Sequence, residues 1–482
     1  MKTLGDTRPR RFKAKASGSI TAGKPCVVET DGDVAQVATS AAATGSLTDI
    51  ASTSNTTQMG TAYDTTNDKV VVAYRDESNS DYGTAVVGTV SGNSISFGTP
   101  VVFNSAETTG CYPSFDADAG KMLILYRDQG NSNYGTAIVG TVSGTSISFG
   151  SEAVFESANT VDPAGSYDEA AQKTLIAYSD YGNSGYGTAV VATISGTSVS
   201  FGTPVVFSSA SYSTYIDVAY DPVAQTHLVV YKTSAGGGKC IVGTVSGTSV
   251  SFNTVVAFSG NETYYNRVTY DATNAYMIIA FRDQTASEHG KALVADLQYG
   301  HLTGVVAYTS TTFESAAIGY LGLAVDTNAN KFVVNYVDAG NSNHATYAVG
   351  TVVGAGGSNP TLSFATPVVY EAASSSFQRA VYDPDQQRVV LTHFTTDGRA
   401  LVLKNESTNL KSENYIGIAE YAAADTETAT VLIKGGVSPD QSSLTPGQTY
   451  FVQGDGTLGT SADSPSVTAG TAVTSTKLIV KG

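Results

Sequence analysis

The chain has 482 residues, a formal net charge of −16, 14% charged residues, 28 Tyr and no Trp. An acidic surface repels phosphate, which excludes general nucleic-acid binding, and no apolar run approaches the roughly 18 residues of a membrane-crossing helix. Abundant Gly, Ser, Thr, Ala and Tyr with few charges is the composition of a β-rich chain, in which Tyr and β-branched residues fill strands and Gly and Asn make turns.

The chain opens on MKTLGDTRPRRFKAKA, where Lys2, Arg8, Arg10, Arg11, Lys13 and Lys15 gather positive charge in an otherwise acidic protein. This stretch has no apolar core of the kind a signal peptide carries, so folding in a cytoplasm is expected. It reads either as a solvated tail or as an arm that lies on an acidic partner. ASGSITAGKPCVVETDGDVAQV follows from Ala16, and its Asp31-Gly32 between two β runs predicts a hairpin.

From there the sequence repeats itself. YRDQGNSNYGTAIVGTVSGTSISFG, read from Tyr126, nearly copies a stretch that begins at Tyr74. The period is marked by an aromatic-Asp pair at Tyr63, Phe115, Tyr167, Tyr220, Tyr270, a degraded Val325, and Tyr382, in steps of 52, 52, 53, 50, 55 and 57 residues. Seven units of about fifty residues predict a seven-bladed β-propeller. Each unit reads as four strands; in the second these are CYPSFD, KMLILYRD, GTAIVGTV and SISFGSEAVF. KMLILYR and KVVVAYR are apolar on both faces and belong inside a blade. Pro100, Pro204 and Pro367 place the fourth strand at an outer edge. The first strand, small and more polar, suits a central channel. The seventh unit lacks a fourth strand, and TGSLTDIAS near Leu47 is expected to supply it from about residues 45–53, closing the ring.

After the repeats, NYIGIAEYAAADTETATVLIKGGV, SSLTPGQTYFVQGDGTLGTS and STKLIVKG read as further strands, with a second Asp-Gly hairpin at Asp455-Gly456. The expected fold is all-β: a propeller over residues 43–405 inserted in a small β-barrel or sandwich module built from residues 1–42 and 406–482.

Most of the chemistry-bearing residues have a structural reading. The Asp of each aromatic-Asp pair is expected to accept backbone N–H groups in a tight turn. Arg75-Asp76, Arg127-Asp128 and Arg282-Asp283 are expected to make neighbouring-blade or loop contacts rather than a site. Cys26, Cys111 and Cys240 are widely spaced, show no CxxC and read as small buried apolar residues. His227, His289, His301, His344 and His393 show no zinc-binding spacing, and no GxSxG elbow or P-loop occurs. A sialidase would need an arginine cluster and Asp boxes ending in Trp. No catalytic site, cofactor or metal is expected. The Asn-Ser loops remain as candidates: Asn79-Ser80, Asn131-Ser132, Asn183-Ser184 and Asn341-Ser342 are expected on one face of the propeller, where amides and hydroxyls suit sugar contact and equally suit inert solvated loops.

ASGSITAGKPCVVETDGDV with IGIAEYAAADTETATVLIKGG and LTPGQTYFVQGDGTL resembles the small β modules of tailed-phage virion proteins, including head-decoration and fibre-associated proteins. The YRDxGNSxYGTAxVGTVSGTSISFG repeats resemble those of phage structural proteins, especially of marine phages. The resemblance implies a non-enzymatic virion structural protein, made in the host cytoplasm and placed on the virion exterior. It implies as partners the major capsid protein or other virion proteins, with Arg8, Arg10, Arg11, Lys13 and Lys15 as a capsid-contact arm. Capsid-exterior decoration is the leading expectation. The alternative is a tail-fibre or receptor-binding adhesin that recognises host-surface glycans, and the lack of a coiled-coil or fibrous shaft weighs modestly against it. A secreted bacterial lectin is a third reading, disfavoured by the missing signal peptide. Homo-oligomerisation stays open. RDQTASEHGKALVADLQYGHL in units five and six departs from the NSxYGTA form, so a loop site repeated around the ring would be absent there.

Overall fold

The structure is a computed structural model that describes residues 10–51, 55–209, 212–234, 236–285, 287–297, 305–356, 359–463 and 465–481. These residues are all-β: antiparallel strands, with helical turns only as four 3₁₀ segments. They divide into two compact units, residues 1–42 with 406–482, and residues 43–405.

The larger unit repeats one pairing scheme. In the second repeat, Val101–Asp116 pairs with Lys121–Asp128, which pairs with Tyr134–Ser143. Tyr134–Ser143 then pairs with Ser146–Phe149 through one half and with the start of Ala153–Asp168 through the other. The fourth strand is therefore two pieces rather than the single run expected. Gly150 interrupts it, donating to the Val139 carbonyl at 2.9 Å, as Gly98 does to Val87 in the repeat before. Pro100 sits just after that break, where no ladder bond is needed.

Packing between repeats explains the doubly apolar strands. Met122 to Tyr126 are fully buried, because one face meets Val71, Ala73 and Val87 of the preceding repeat and the other meets Ile176, Tyr178 and Val190 of the following one. An aromatic pair recurs at this seam: Phe103–Tyr126, Phe155–Tyr178, Phe207–Tyr231, Phe258–Phe281 and Phe313–Tyr336, with centroids 5.1, 5.2, 5.2, 5.3 and 5.3 Å apart. Such pairs add about 1 kcal/mol each beyond area burial.

The last repeat meets the first. Val390, Ala400 and Val402 share a cluster with Val70, Val72 and Tyr74. Ala43–Thr44 and Thr48–Asp49 pair with Gly398–Lys404, and Gly45 donates to the Val402 carbonyl at 2.8 Å. Gly45 repeats a close approach seen elsewhere: a Cβ there would lie 1.8 Å from the Asn93 carbonyl oxygen, as one at Gly98 would lie 1.9 Å from that of Thr145. At Gly45 and Gly98 only glycine fits, because the outer strand there passes close under the next hairpin.

The turn chemistry is uniform. Asp64, Asp116, Asp168, Asp221, Asp271, Asp326 and Asp383 each accept a backbone N–H three residues on, from Asn67, Ala119, Ala171, Ala224, Asn274, Ala329 and Gln386, at 2.8–3.2 Å.

The smaller unit holds two five-stranded sheets. One runs Arg11–Lys15, Thr428–Leu432, Tyr415–Ala419, Pro25–Val28, Val34–Gln36; the other runs Val437–Ser438, Lys477–Val480, Val467–Thr474, Thr449–Val452, Leu458–Gly459. They share one core that includes Val27, Ile418 and Leu432 from the first and Tyr450, Val452 and Leu478 from the second. The two Asp-Gly hairpins fall in different sheets, at Pro25–Val28 with Val34–Gln36 and at Thr449–Val452 with Leu458–Gly459. All three cysteines are buried and unpaired.

His227 is a fully buried polar residue at a position held by Met122 and Met277 in other repeats. Its Nε2 faces the Ser166 carbonyl at 3.2 Å, and burial pushes its pKa down from 6.5 to about 4 against the pull of Asp168. The folded state therefore cannot take up the proton that the unfolded chain takes up below about pH 6.5. Stability is lost as pH falls from there towards 4, by up to about 3 kcal/mol. His227→Met should flatten this acid limb in urea unfolding measured from pH 7 to 4; an unchanged slope would refute the assignment. Ile124→Ala should lower the unfolding free energy of the larger unit by about 2–5 kcal/mol, read from denaturant midpoints, since it opens a cavity at a seam between repeats.

Candidate functional site

Every first strand of the larger unit carries one extra residue. In the first repeat Thr57 opposes Arg75 but Gly60 opposes Ala73, and the same shift recurs in all seven. A bulge of this kind re-aims a side chain. Its middle residue is left-handed each time: Gln58 (φ 51°), Gly110 (61°), Asp162 (50°), Tyr215 (51°), Tyr265 (54°), Tyr320 (29°) and Phe377 (49°). Glycine is the unstrained choice. Aromatic residues held there cost about 1–3 kcal/mol each, and such strain is characteristic of functional positions.

The aromatic members are consecutive and touch. Tyr215–Tyr265, Tyr265–Tyr320 and Tyr320–Phe377 have centroids 5.3, 5.2 and 4.9 Å apart. This arc is braced by Tyr264, 5.1 Å from Tyr215, and by the Arg282 guanidinium, 5.2 Å from the centre of Tyr265. Gln58, Gly110 and Asp162 complete the tier with small or polar groups. Three residues before each aromatic-Asp aromatic position lies a second tier: Gly60, Tyr112, Ala164, Asp217, Arg267, Gly322 and Arg379.

Two adjoining cavities result. One, of about 240 Å³, is lined by Gln58, Asp162, Tyr215, Tyr265, Tyr320 and Phe377 with Tyr112, Arg267 and Arg379. The other, of about 180 Å³, is lined by residues from the first strands of all seven repeats, including the same Tyr112, Arg267 and Arg379. The charged groups Asp162, Asp217, Arg267 and Arg379 are half-buried. Burial pushes Asp162 and Asp217 up, despite backbone N–H bonds from Tyr215 at 2.7 Å and Val268 at 2.9 Å and despite the nearby arginines. Burial, then the neighbouring Arg267 charge, pushes Arg379 down to about 10, still cationic at neutral pH. Burial likewise raises the hydroxyls of Tyr112, Tyr215 and Tyr265, which stay neutral.

The Asn-Ser loops lie at the same end of the strands, since Thr56, two residues before the bulge, opposes Asp76, which leads into Asn79-Ser80. They do not enter either cavity. Glu77–Asn79, Gln129–Asn131, Tyr181–Asn183 and Ala339–Asn341 are exposed 3₁₀ turns closed by left-handed Ser80, Ser132, Ser184 and Ser342. The side chains of Asp76, Asp128 and Asp180 cap three of them. Arg75 pairs with Asp81 at 2.8 Å in the following loop, Arg127 donates to its cross-strand partner Thr109 at 2.9 Å, and Arg282 donates to Gln284 at 2.9 Å and to the Ile318 carbonyl of the next repeat at 3.3 Å.

Of the basic arm, Arg8 lies outside the described residues. Arg11, Lys13 and Lys15 belong to an edge strand of the smaller unit, not to a free arm, because the run pairs with Thr428–Leu432. Arg11 is held by Glu420, Lys15 by Asp33 at 2.8 Å, and Arg10 donates to the Lys434 carbonyl at 3.2 Å. Among the described residues no cluster of three metal-binding side chains occurs and no helix is long and apolar enough to cross a membrane.

The bulge tier escaped the sequence reading. The tier occupies the position five residues before each aromatic-Asp aromatic, where identity changes from repeat to repeat, and its flanks vary too, so no local pattern marks it.

Solved structures similar to this chain include the following two. The BP39L lectin from Burkholderia pseudomallei is 12% identical with a TM-score of 0.49, over 74% of this chain and 98% of that one. Raptor from Chaetomium thermophilum is 12% identical with a TM-score of 0.44, over 76% of this chain and 30% of that one. Neither likeness bears on what the chain binds. No family model matches the sequence, and no curated protein does.

Left-handed backbone at the bulges makes a direct test. Gly110→Ala should cost about 1–2 kcal/mol of stability, whereas Gln58→Gly should be neutral or stabilising by about 1 kcal/mol. Thermal midpoints check both; a stabilising Gly110→Ala would contradict the strain.

Proposed function

We propose that residues 43–405 form a closed seven-bladed β-propeller, inserted in chain order into a small β module, and that the protein is a non-enzymatic binder of carbohydrate at the propeller's channel mouth. The observation that carries this reading is the strained arc of Tyr215, Tyr265, Tyr320 and Phe377 facing Gln58 and Asp162. Sugar rings present apolar C–H faces and polar edges, and a cavity with an aromatic wall opposite amide and carboxylate groups matches both. Strain of this size is retained when a bound ligand uses it.

The setting is the one the sequence resemblance implies, the exterior of a tailed-phage particle. Other virion proteins, the major capsid protein among them, would hold the β module, with the basic edge strand Arg11–Lys15 as one contact. Of the two placements on the particle, a receptor-binding adhesin uses the aromatic site and capsid decoration does not, so the site favours the adhesin. The repeated Asn-Ser loops then serve as solvated turns that hold the rim rather than as the contact itself.

A glycan array tests this. The wild-type chain should bind at least one glycan class, and Tyr265→Ala with Tyr320→Ala should weaken that binding at least tenfold while leaving the thermal midpoint within a few degrees. Binding that survives the double substitution unchanged, or no binding to any glycan, would overturn the proposal.

A further inference from the structure

Two arginines of the second tier are not explained by folding. Arg267 and Arg379 come from repeats five and seven, and the residue between them in the tier is Gly322, which has no side chain to separate them. Each donates one N–H to the carbonyl just before it, Asn266 and Gln378, at 2.8 Å. Among the described residues neither joins an ion pair, as Arg75, Arg282 and Arg399 do, and neither donates to another side chain, as Arg127 and Arg388 do. A guanidinium has five N–H donors, so most of each fork is left facing the two cavities that both residues line. The acids nearby are already engaged: Asp162 holds the Tyr215 N–H and Asp217 the Val268 N–H. Asp162 and Asp217 still act on both arginines through space, but neither carboxylate takes a guanidinium N–H, so the donor forks stay open to an incoming anion. Burial first, and the Arg267 charge second, depress the Arg379 pKa. The Tyr112 ring, 5.5 Å from the Arg379 guanidinium carbon, steadies that side chain.

We infer that the glycan bound at the channel mouth is acidic, and that its anionic group, a sugar carboxylate or a sulfate, is held between Arg267 and Arg379 while its ring stacks on the Tyr265–Tyr320 arc. This rests on the carbohydrate reading above and names its ligand class. A net charge of −16 on the whole chain makes general attraction of anions unfavourable, so recognition falls to this local pair rather than to the surface.

The test is isothermal titration of the full chain with three probes: an oligouronate, its carboxyl-reduced neutral counterpart, and a sulfated neutral oligosaccharide, with inorganic sulfate as a control. The oligouronate or the sulfated sugar should bind at least tenfold more tightly than the neutral counterpart, and which of the two does so identifies the anionic group. Arg267→Gln and Arg379→Gln should each remove that advantage, bringing the affinity for the acidic sugar down at least tenfold, to that of its neutral counterpart. Asp217→Asn removes a competing negative charge yet still offers an oxygen to the Val268 N–H; it should tighten acidic-sugar binding severalfold, a gain that misfolding cannot mimic. Equal binding of acidic and neutral sugars, unaffected by the arginine substitutions, would overturn this inference and leave the carbohydrate reading standing. Binding of inorganic sulfate at the arginines with no affinity for any sugar would overturn the carbohydrate reading. No binding by any probe would overturn both.

Discussion

Everything in the larger unit depends on the strand that is apolar on both faces. Lys121–Asp128 and its counterparts cannot sit at the surface of a lone sheet, because each face exposes a row of Leu, Ile, Val or Tyr to water. Each repeat must therefore be covered on two sides, and the neighbour that covers it has the same need. A linear array would leave two bare faces; packing the last repeat on the first removes them, as the cluster shared by Val390 and Val402 with Val72 and Tyr74 does. The short pieces Ala43–Thr44 and Thr48–Asp49 complete the last sheet from the other end of the unit. Chain closure of this type ties residues about 350 apart in sequence, which resists fraying at the ends.

That closure also builds the site. Once first strands face inward, any side chain re-aimed by their bulges points into shared space. Seven nearly identical backbones then become a scaffold on which one position per repeat is free to differ. The repeat supplies stability, and the deviations from the repeat supply chemistry: an aromatic arc from repeats four to seven, polar and small groups from one to three, and two arginines beneath them.

The repeat was legible because its physics is local and periodic. Aromatic-Asp turns and doubly apolar second strands each announce themselves within a few residues, and the Asp side chains of the turns take the expected backbone N–H bonds. What sequence misjudged was context. The Lys/Arg run at 11–15 reads as an arm because charge dominates it, yet alternate residues Phe12 and Ala14 let it pair with Val431 and Ala429. The fourth strand reads as one run because the break at Gly98 or Gly150 is set by the next repeat's hairpin, not by its own residues. The bulge tier was invisible for the opposite reason: Tyr and Phe signal extended strand, and only the observed backbone shows them left-handed. Local propensity fails where the fold imposes strain, and that is where function is to be sought.

The proposed ligand sits in the strained mouth and not on the repeated loops. A crystal structure of the chain soaked with a bound oligosaccharide decides it most directly. The account predicts density for a sugar ring against Tyr265 and Tyr320 with its acidic group between Arg267 and Arg379. Sugar density instead at Asn79-Ser80, Asn131-Ser132, Asn183-Ser184 or Asn341-Ser342, with the mouth empty, would contradict it.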